Sequence, residues 1–168
     1  MKFSLSREAL LKPLQLVIGV VERRQTLPIL SNVLFSLSDK NLSITGTDLE
    51  VEIVGLTAVS DSEEEGSVTI SARKTLDICR SLPEGATLKF SSSEGKASIQ
   101  SGKSKFMLST LPASEFPTVD EGEKSLEFSV SGKDLQKLIE STSFAMAQQD
   151  VRYYLNGMLW ELTSGQIR

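Results

Sequence analysis

An α+β fold, with two helices packed on antiparallel sheets in each domain and the domain begun a second time, is predicted by three observations. Short alternating apolar and polar runs, bounded by turn residues, recur between Val33 and Leu108. Two other segments, residues 6–21 and 72–82, carry their apolar residues at helical spacing instead. The start of the chain also returns: Phe3-Ser4-Leu5-Ser6 is echoed by Phe128-Ser129-Val130-Ser131, 125 positions later.

Each element follows from local chemistry. Residues 2–5 read as a strand, and Ser6 is placed to cap a helix whose Leu10, Leu11, Leu14, Val17, Ile18 and Val21 recur on one side. Pro13 falls inside that helix and removes one backbone donor. Three alternating runs follow at 33–38, 42–47 and 51–59, with turns at Asp39-Lys40-Asn41 and Thr47-Asp48. The acidic block Asp61-Ser62-Glu63-Glu64-Glu65-Gly66 reads as a solvated loop. Residues 67–71 make the next strand, 72–82 a second helix built on Leu76, Ile78 and Cys79, and strands 87–92, 97–100 and 104–108 close the domain.

The repeat sets the domain organisation. At the same offset Leu30-Ser31-Asn32-Val33-Leu34-Phe35-Ser36-Leu37 meets Leu155-Asn156-Gly157-Met158-Leu159-Trp160-Glu161-Leu162, with apolar type kept at most positions. Two separated matches at one offset imply two copies of one domain, residues 1–122 and 123–168. Pro112, Pro117 and the polar run 120–124 connect them. Arg168 corresponds to Ser43, so the second copy is expected to be incomplete here and the chain to be the beginning of a longer one. An unfinished sheet leaves Met158, Leu159, Trp160 and Leu162 poorly covered.

Composition narrows the chemistry. The 168 residues are 39% hydrophobic with a net charge of −4, no histidine and one cysteine. That removes His-assisted serine or cysteine nucleophiles and Cys/His zinc sites, and no cofactor is implied. The longest apolar stretch is far shorter than the roughly 20 residues that span a bilayer, and no signal-peptide pattern is present, so a cytoplasmic protein is expected. Asp48, Glu50 and Glu52 alternate; on a strand they share a face, with Leu49, Val51 and Ile53 opposite, and read as a solvent face rather than a cation site. Gly102-Lys103-Ser104 ends like a phosphate loop, but Ala97 stands where the first glycine belongs and the flanking runs read as a hairpin. Positive charge gathers on the helices, at Arg7, Lys12, Arg73, Lys74 and Arg80, away from the acidic block.

Five stretches carry a specific resemblance: Thr26–Leu30 "TLPIL", Thr45–Glu50 "TGTDLE", Arg80–Ala86 "RSLPEGA", Ser109–Pro117 "STLPASEFP" and Val151–Met158 "VRYYLNGM". Together they resemble the bacterial sliding-clamp family, the β subunit of the replicative DNA polymerase III, over essentially the whole chain. The resemblance implies a DNA-clamp fold, a non-catalytic role in DNA replication, and a head-to-tail homodimer of three like domains per subunit, the third absent from this chain. Six compact domains of about 120 residues leave a hole about 35 Å wide, enough for duplex DNA and a layer of water. By the same resemblance Arg24, Gln149, Tyr153 and Tyr154 contact DNA at one face, with Arg7, Lys12, Arg73 and Arg80 lining the bore. Lys74, Lys103, Lys105, Phe106 and Leu108 match the surface that meets the other subunit. Arg152 and Leu155 match one wall of a pocket that receives peptides from DNA polymerases and the clamp loader; the other wall is expected beyond Arg168. A strand is expected around the tyrosines, burying at most one of them. The competing reading is a monomeric single-strand nucleic-acid-binding module that uses the tyrosines as a stacking platform.

Overall fold

The computed structural model describes residues 1–21, 27–118, 127–148 and 150–168. The chain divides into two compact units, Met1–Asp120 and Glu121–Arg168. Unit 1 runs β1 (Lys2–Ser6), α1 (Arg7–Val17), a 3-10 turn (Ile18–Val20), a second 3-10 turn (Pro28–Ser31), β2 (Asn32–Ser38), β3 (Asn41–Thr47), β4 (Glu52–Ala58), β5 (Asp61–Glu64), β6 (Gly66–Ser71), α2 (Ala72–Ser81), β7 (Thr87–Ser93), β8 (Lys96–Ser101) and β9 (Ser104–Leu111). The strands hydrogen-bond in the order β4-β3-β2-β6-β9-β8-β7-β1-β5, every described pair antiparallel.

That order exchanges strands between the two halves of the domain. Each half is a strand, a helix and a three-stranded meander, yet β1 pairs with β7 of the second meander and β6 pairs with β2 of the first. The meanders meet at β9, which gives Ser104–Ser109 to β8 and only Thr110 and Leu111 to β6. A buried polar clip secures this junction. Thr69 Oγ1 accepts from Asn32 Nδ2 at 3.1 Å, donates to the Leu111 carbonyl at 2.9 Å and accepts from the Leu111 amide at 3.3 Å.

Ser6 caps α1 as its position predicts, accepting from the Ala9 amide at 3.2 Å. Pro13 does not break the helix, because its ring is buried against β4 at a residue with no side chain. A Cβ on Gly55 would lie 2.7 Å from Pro13 Cβ, and one on Gly46 would lie 2.4 Å from Val17 Cγ1. Leu10, Leu14 and Val17 therefore sink into a core shared with Phe35, Ile44, Ile70, Leu76, Leu88 and Ile99, each at most 1% exposed. Phe90 stacks on Phe3 at 4.8 Å between ring centres and tilts against Phe35 at 5.6 Å.

Two expectations are corrected. The acidic block is a strand rather than a loop: β5 pairs with β1 through its backbone, while its carboxylates point to solvent or, at Glu64, to the Met1 ammonium 3.3 Å away. Of Asp48, Glu50 and Glu52, only Glu52 lies on a strand. Asp48 turns the chain instead, its carboxylate accepting from the Glu50 and Val51 amides at 3.0 and 2.7 Å, with Leu49 at φ +79°. Leu49 and Val51 consequently stand half-exposed rather than filling an opposite face. The 101–104 turn forms the β8–β9 hairpin that its pattern predicts.

Unit 2 repeats the helical elements that open unit 1, though residues 127–131, the counterpart of β1, form no strand. Ser131 caps α3 (Gly132–Thr142), accepting from the Asp134 amide at 3.1 Å. The 3-10 turns Ser143–Ala145 and Tyr153–Asn156 follow, and then the short hairpin of β10 (Leu162–Thr163) and β11 (Gln166–Ile167). Every bound of α1 and its two 3-10 turns recurs 125 residues on, and the pairs Leu37–Leu42 and Ser38–Asn41 recur as Leu162–Ile167 and Thr163–Gln166. Among the described residues no helix is long and apolar enough to cross a membrane.

Candidate nucleic-acid interface

The cations expected to meet DNA divide into two groups. Lys12 on α1, and Arg73 and Arg80 on α2, stand exposed on helix faces turned away from the core. Arg7 does not. Its side chain is only 14% exposed. Its Nε donates to the Cys79 carbonyl at 2.7 Å and a terminal nitrogen meets Glu8 Oε1 at 2.9 Å. Glu8 Oε1 also accepts from the Gly85 amide at 3.1 Å, and the Arg7 amide donates to the Ala86 carbonyl at 2.8 Å. Arg7 and Glu8 thus stitch the start of α1 to the end of α2 and the loop after it. The Gly85 amide and then the Arg7 guanidinium hold the Glu8 carboxyl below its ordinary value. Burial pushes the neighbouring Cys79 thiol up to about 11.

Arg24 and Gln149 lie outside the described residues. In the repeat they are counterparts of one another, 125 positions apart, each leading toward a 3-10 turn. The turn in unit 2 carries Tyr153 and Tyr154, which corrects the expectation of a strand there. Both rings are largely exposed, 82% and 67%, and meet edge to face with centres 6.0 Å apart. Arg152 precedes them and is gripped by Asp150 at 3.1 Å through Nε and 2.9 Å through a terminal nitrogen. That ion pair holds the Asp150 carboxyl below its ordinary value and raises Arg152. Leu155 is partly covered, and its carbonyl accepts from the Ala147 amide at 2.9 Å.

On unit 1 the outer edge of β9 is open over Ser104–Ser109, because β6 pairs only beyond it. Phe106 and Leu108 sit there half-buried against the core, Met107 is 56% exposed, and Lys103 and Lys105 project to solvent. Lys74 and Leu108 line one hollow of about 340 Å³ with Pro28, Ser31 and Leu111. A more apolar cavity of about 300 Å³ in unit 2 is lined by Leu138, Ile139, Met146, Met158, Trp160 and Ile167. Their counterparts 125 residues earlier, Pro13, Leu14, Val21, Val33, Phe35 and Leu42, are all buried core. The cavity is therefore packing surface rather than a ligand site.

Residues 1–120 match the family model described as the DNA polymerase III beta subunit, N-terminal domain, and residues 129–168 match its central domain. The chain belongs to this family. The beta sliding clamp of Pseudomonas aeruginosa is 58% identical over all 168 residues, and that of Escherichia coli K12 is 49% identical over the same span; each alignment covers 46% of the relative. The chain thus spans about half the length of the clamps it matches. A crystal structure of the Pseudomonas aeruginosa DnaN sliding clamp bound to griselimycin superposes with a TM-score of 0.95 at 58% identity, covering 99% of this chain and 45% of that one. Caulobacter crescentus pol III beta gives 0.91 at 38% identity, again over 99% of this chain and 45% of its own.

Sequence reasoning missed the side chains that tie down the tyrosine turn, Asp150 and Asn156. The signal was present in the repeat: where unit 2 has Arg152 and Asn156, unit 1 has Leu27 and Ser31, a change to longer side chains with more hydrogen-bonding groups within a shared turn.

Proposed function

We propose that the chain supplies the first domain and the start of the second of a three-domain sliding clamp, a non-catalytic cytoplasmic subunit of the replication machinery. The full-length protein closes as a head-to-tail homodimer around duplex DNA, without sequence preference, and tethers the replicative polymerase to its template. The observation that carries this reading is the repetition in register: a domain whose helix and two 3-10 turns recur 125 residues on suits a ring of like domains, in a chain that belongs to the clamp family throughout. Processivity then follows from topology, since an encircling ring leaves only at an end.

The bore needs a weak grip. Lys12, Arg73 and Arg80 offer a few exposed cations that attract phosphate in a salt-sensitive way without arresting sliding. Arg7 acts behind them, setting α1 against α2. Arg24 and Gln149 join the phosphate contacts, and Tyr153 and Tyr154 meet sugars and bases where the duplex enters. The open β9 edge, with Phe106, Leu108, Lys74, Lys103 and Lys105, receives the other subunit. Arg152 and Leu155 form part of the surface that takes peptides from polymerases and the clamp loader.

The test is retention on circles. Full-length protein loaded on a nicked circular duplex is expected to stay bound through gel filtration and to be lost when the circle is linearised. Equal retention on both forms is the behaviour of an ordinary nucleic-acid-binding module and would overturn the ring.

A further inference from the structure

The tyrosine turn is tied by side chains that differ from those at the same positions of unit 1. Asn156 Oδ1 accepts from the Asp150 amide at 3.0 Å while its Nδ2 donates to the Asp150 carbonyl at 3.1 Å. One amide side chain thereby engages both backbone groups of residue 150, as a strand partner would. The Asp150 carboxylate in turn accepts from Arg152 three times, from its backbone amide at 2.8 Å and from its guanidinium at 3.1 and 2.9 Å. A bidentate pair of this kind fixes direction as well as distance.

Unit 1 acts as an internal control. The same 3-10 turn forms at Pro28–Ser31, yet Ser31, the counterpart of Asn156, only donates its hydroxyl to the Pro28 carbonyl at 2.7 Å, and Leu27 stands in place of Arg152. The backbone turn therefore forms without the arginine and the asparagine. What Asp150, Arg152 and Asn156 add is a fixed direction for a turn that carries two largely exposed aromatic rings. Rings that are already fixed lose less freedom on meeting a ligand, so their contacts contribute more to affinity.

We propose that Asp150 and Asn156 are positioning residues, holding the turn so that Tyr153 and Tyr154 present a preformed contact to DNA. The proposal rests on the reading of the two tyrosines as DNA contacts. Neither Asp150 nor Asn156 needs to touch the nucleic acid; each acts through the turn.

A double-mutant cycle on the full-length protein tests this, with a primed duplex oligonucleotide as probe and fluorescence anisotropy as readout. Asn156→Ala is expected to weaken binding about fivefold, the effect of losing a paired hydrogen bond that holds a contact in place. In a Tyr153→Ala, Tyr154→Ala background the same substitution is expected to change binding by less than about twofold, because nothing is left to position. Asp150→Ala is expected to behave alike. The slope of affinity against salt stays unchanged with Asn156→Ala, since no cation is lost, and so does the thermal midpoint, since the residue is exposed. Equal losses in both backgrounds, or wild-type binding by Asn156→Ala where the tyrosine variant binds weakly, overturn the positioning role and leave the tyrosine reading intact. If the tyrosine variant itself binds like wild type, that reading falls, and the positioning role with it.

Discussion

At the scale of single residues, Glu8 shows how the first domain couples its two helices to pH. Its carboxylate accepts from Gly85 and pairs with Arg7, so its folded pKa lies below the ordinary 4.5. Stability from this contact is fully present above about 4.5 and is lost as the pH falls through the lower folded value, because the unfolded chain takes up the proton first. Glu8→Gln is therefore expected to flatten the acid limb of a pH–stability profile followed by urea unfolding, and an unchanged limb would remove Glu8 from the link between α1 and α2. Cys79, packed at the end of α2 with its thiol raised to about 11, is expected to react with iodoacetamide at pH 8 at least a hundredfold more slowly than a free thiol, and at the free rate once unfolded. Fast labelling of the folded protein would contradict the burial.

At the scale of elements, the close approach of α1 to the sheet depends on two absent side chains. Gly55→Ala forces a methyl to within 2.7 Å of Pro13 and is expected to cost about 1–3 kcal/mol in urea unfolding, the range for an overpacked contact. Thr69→Val is expected to cost a similar amount, since it strands Asn32 Nδ2 and the Leu111 groups inside the junction of the two meanders. The meander strands and both helices were legible because their side chains alternate or recur with the period of the element they form, as in Val33, Phe35 and Leu37 of β2 or Leu10, Leu14 and Val17 of α1. β5 was not, because only its backbone pairing with β1 makes it a strand and its carboxylates advertise solvent. The tyrosine turn was misread as a strand for a related reason: Val151, Tyr153 and Tyr154 are of residue types that favour strands, while the turn follows the domain plan that also shapes Pro28–Ser31. The exposed cations of α1 and α2 were legible by position, but that Arg7 is spent on the Cys79 carbonyl depends on a partner 72 residues away, which no local pattern reports.

At the scale of the whole molecule, the proposed ring puts the β9 edge, unpaired among the described residues over Ser104–Ser109, at the contact between subunits. Lys103 and Lys105 present single ammonium groups, whereas arginine offers a flat fork that pairs a carboxylate at two points. Lys103→Arg with Lys105→Arg is expected to make association of the full-length subunits less sensitive to salt, measured by sedimentation between low and high ionic strength; unchanged sensitivity would place both lysines outside the contact. The exchange of β1 and β6 between half-domains has a consequence for synthesis. β1 meets β5 first, Lys2 with Glu64, but its other neighbour, Ser91 of β7, is made about 90 residues after Lys2. At about 5–20 residues per second that is a delay of roughly 5–18 s. Until then the edge of β1 that β7 covers is unpaired, and Phe3 lacks the Phe90 ring it stacks on. β1 thus passes through a half-paired interval during synthesis, which ends when β7 emerges.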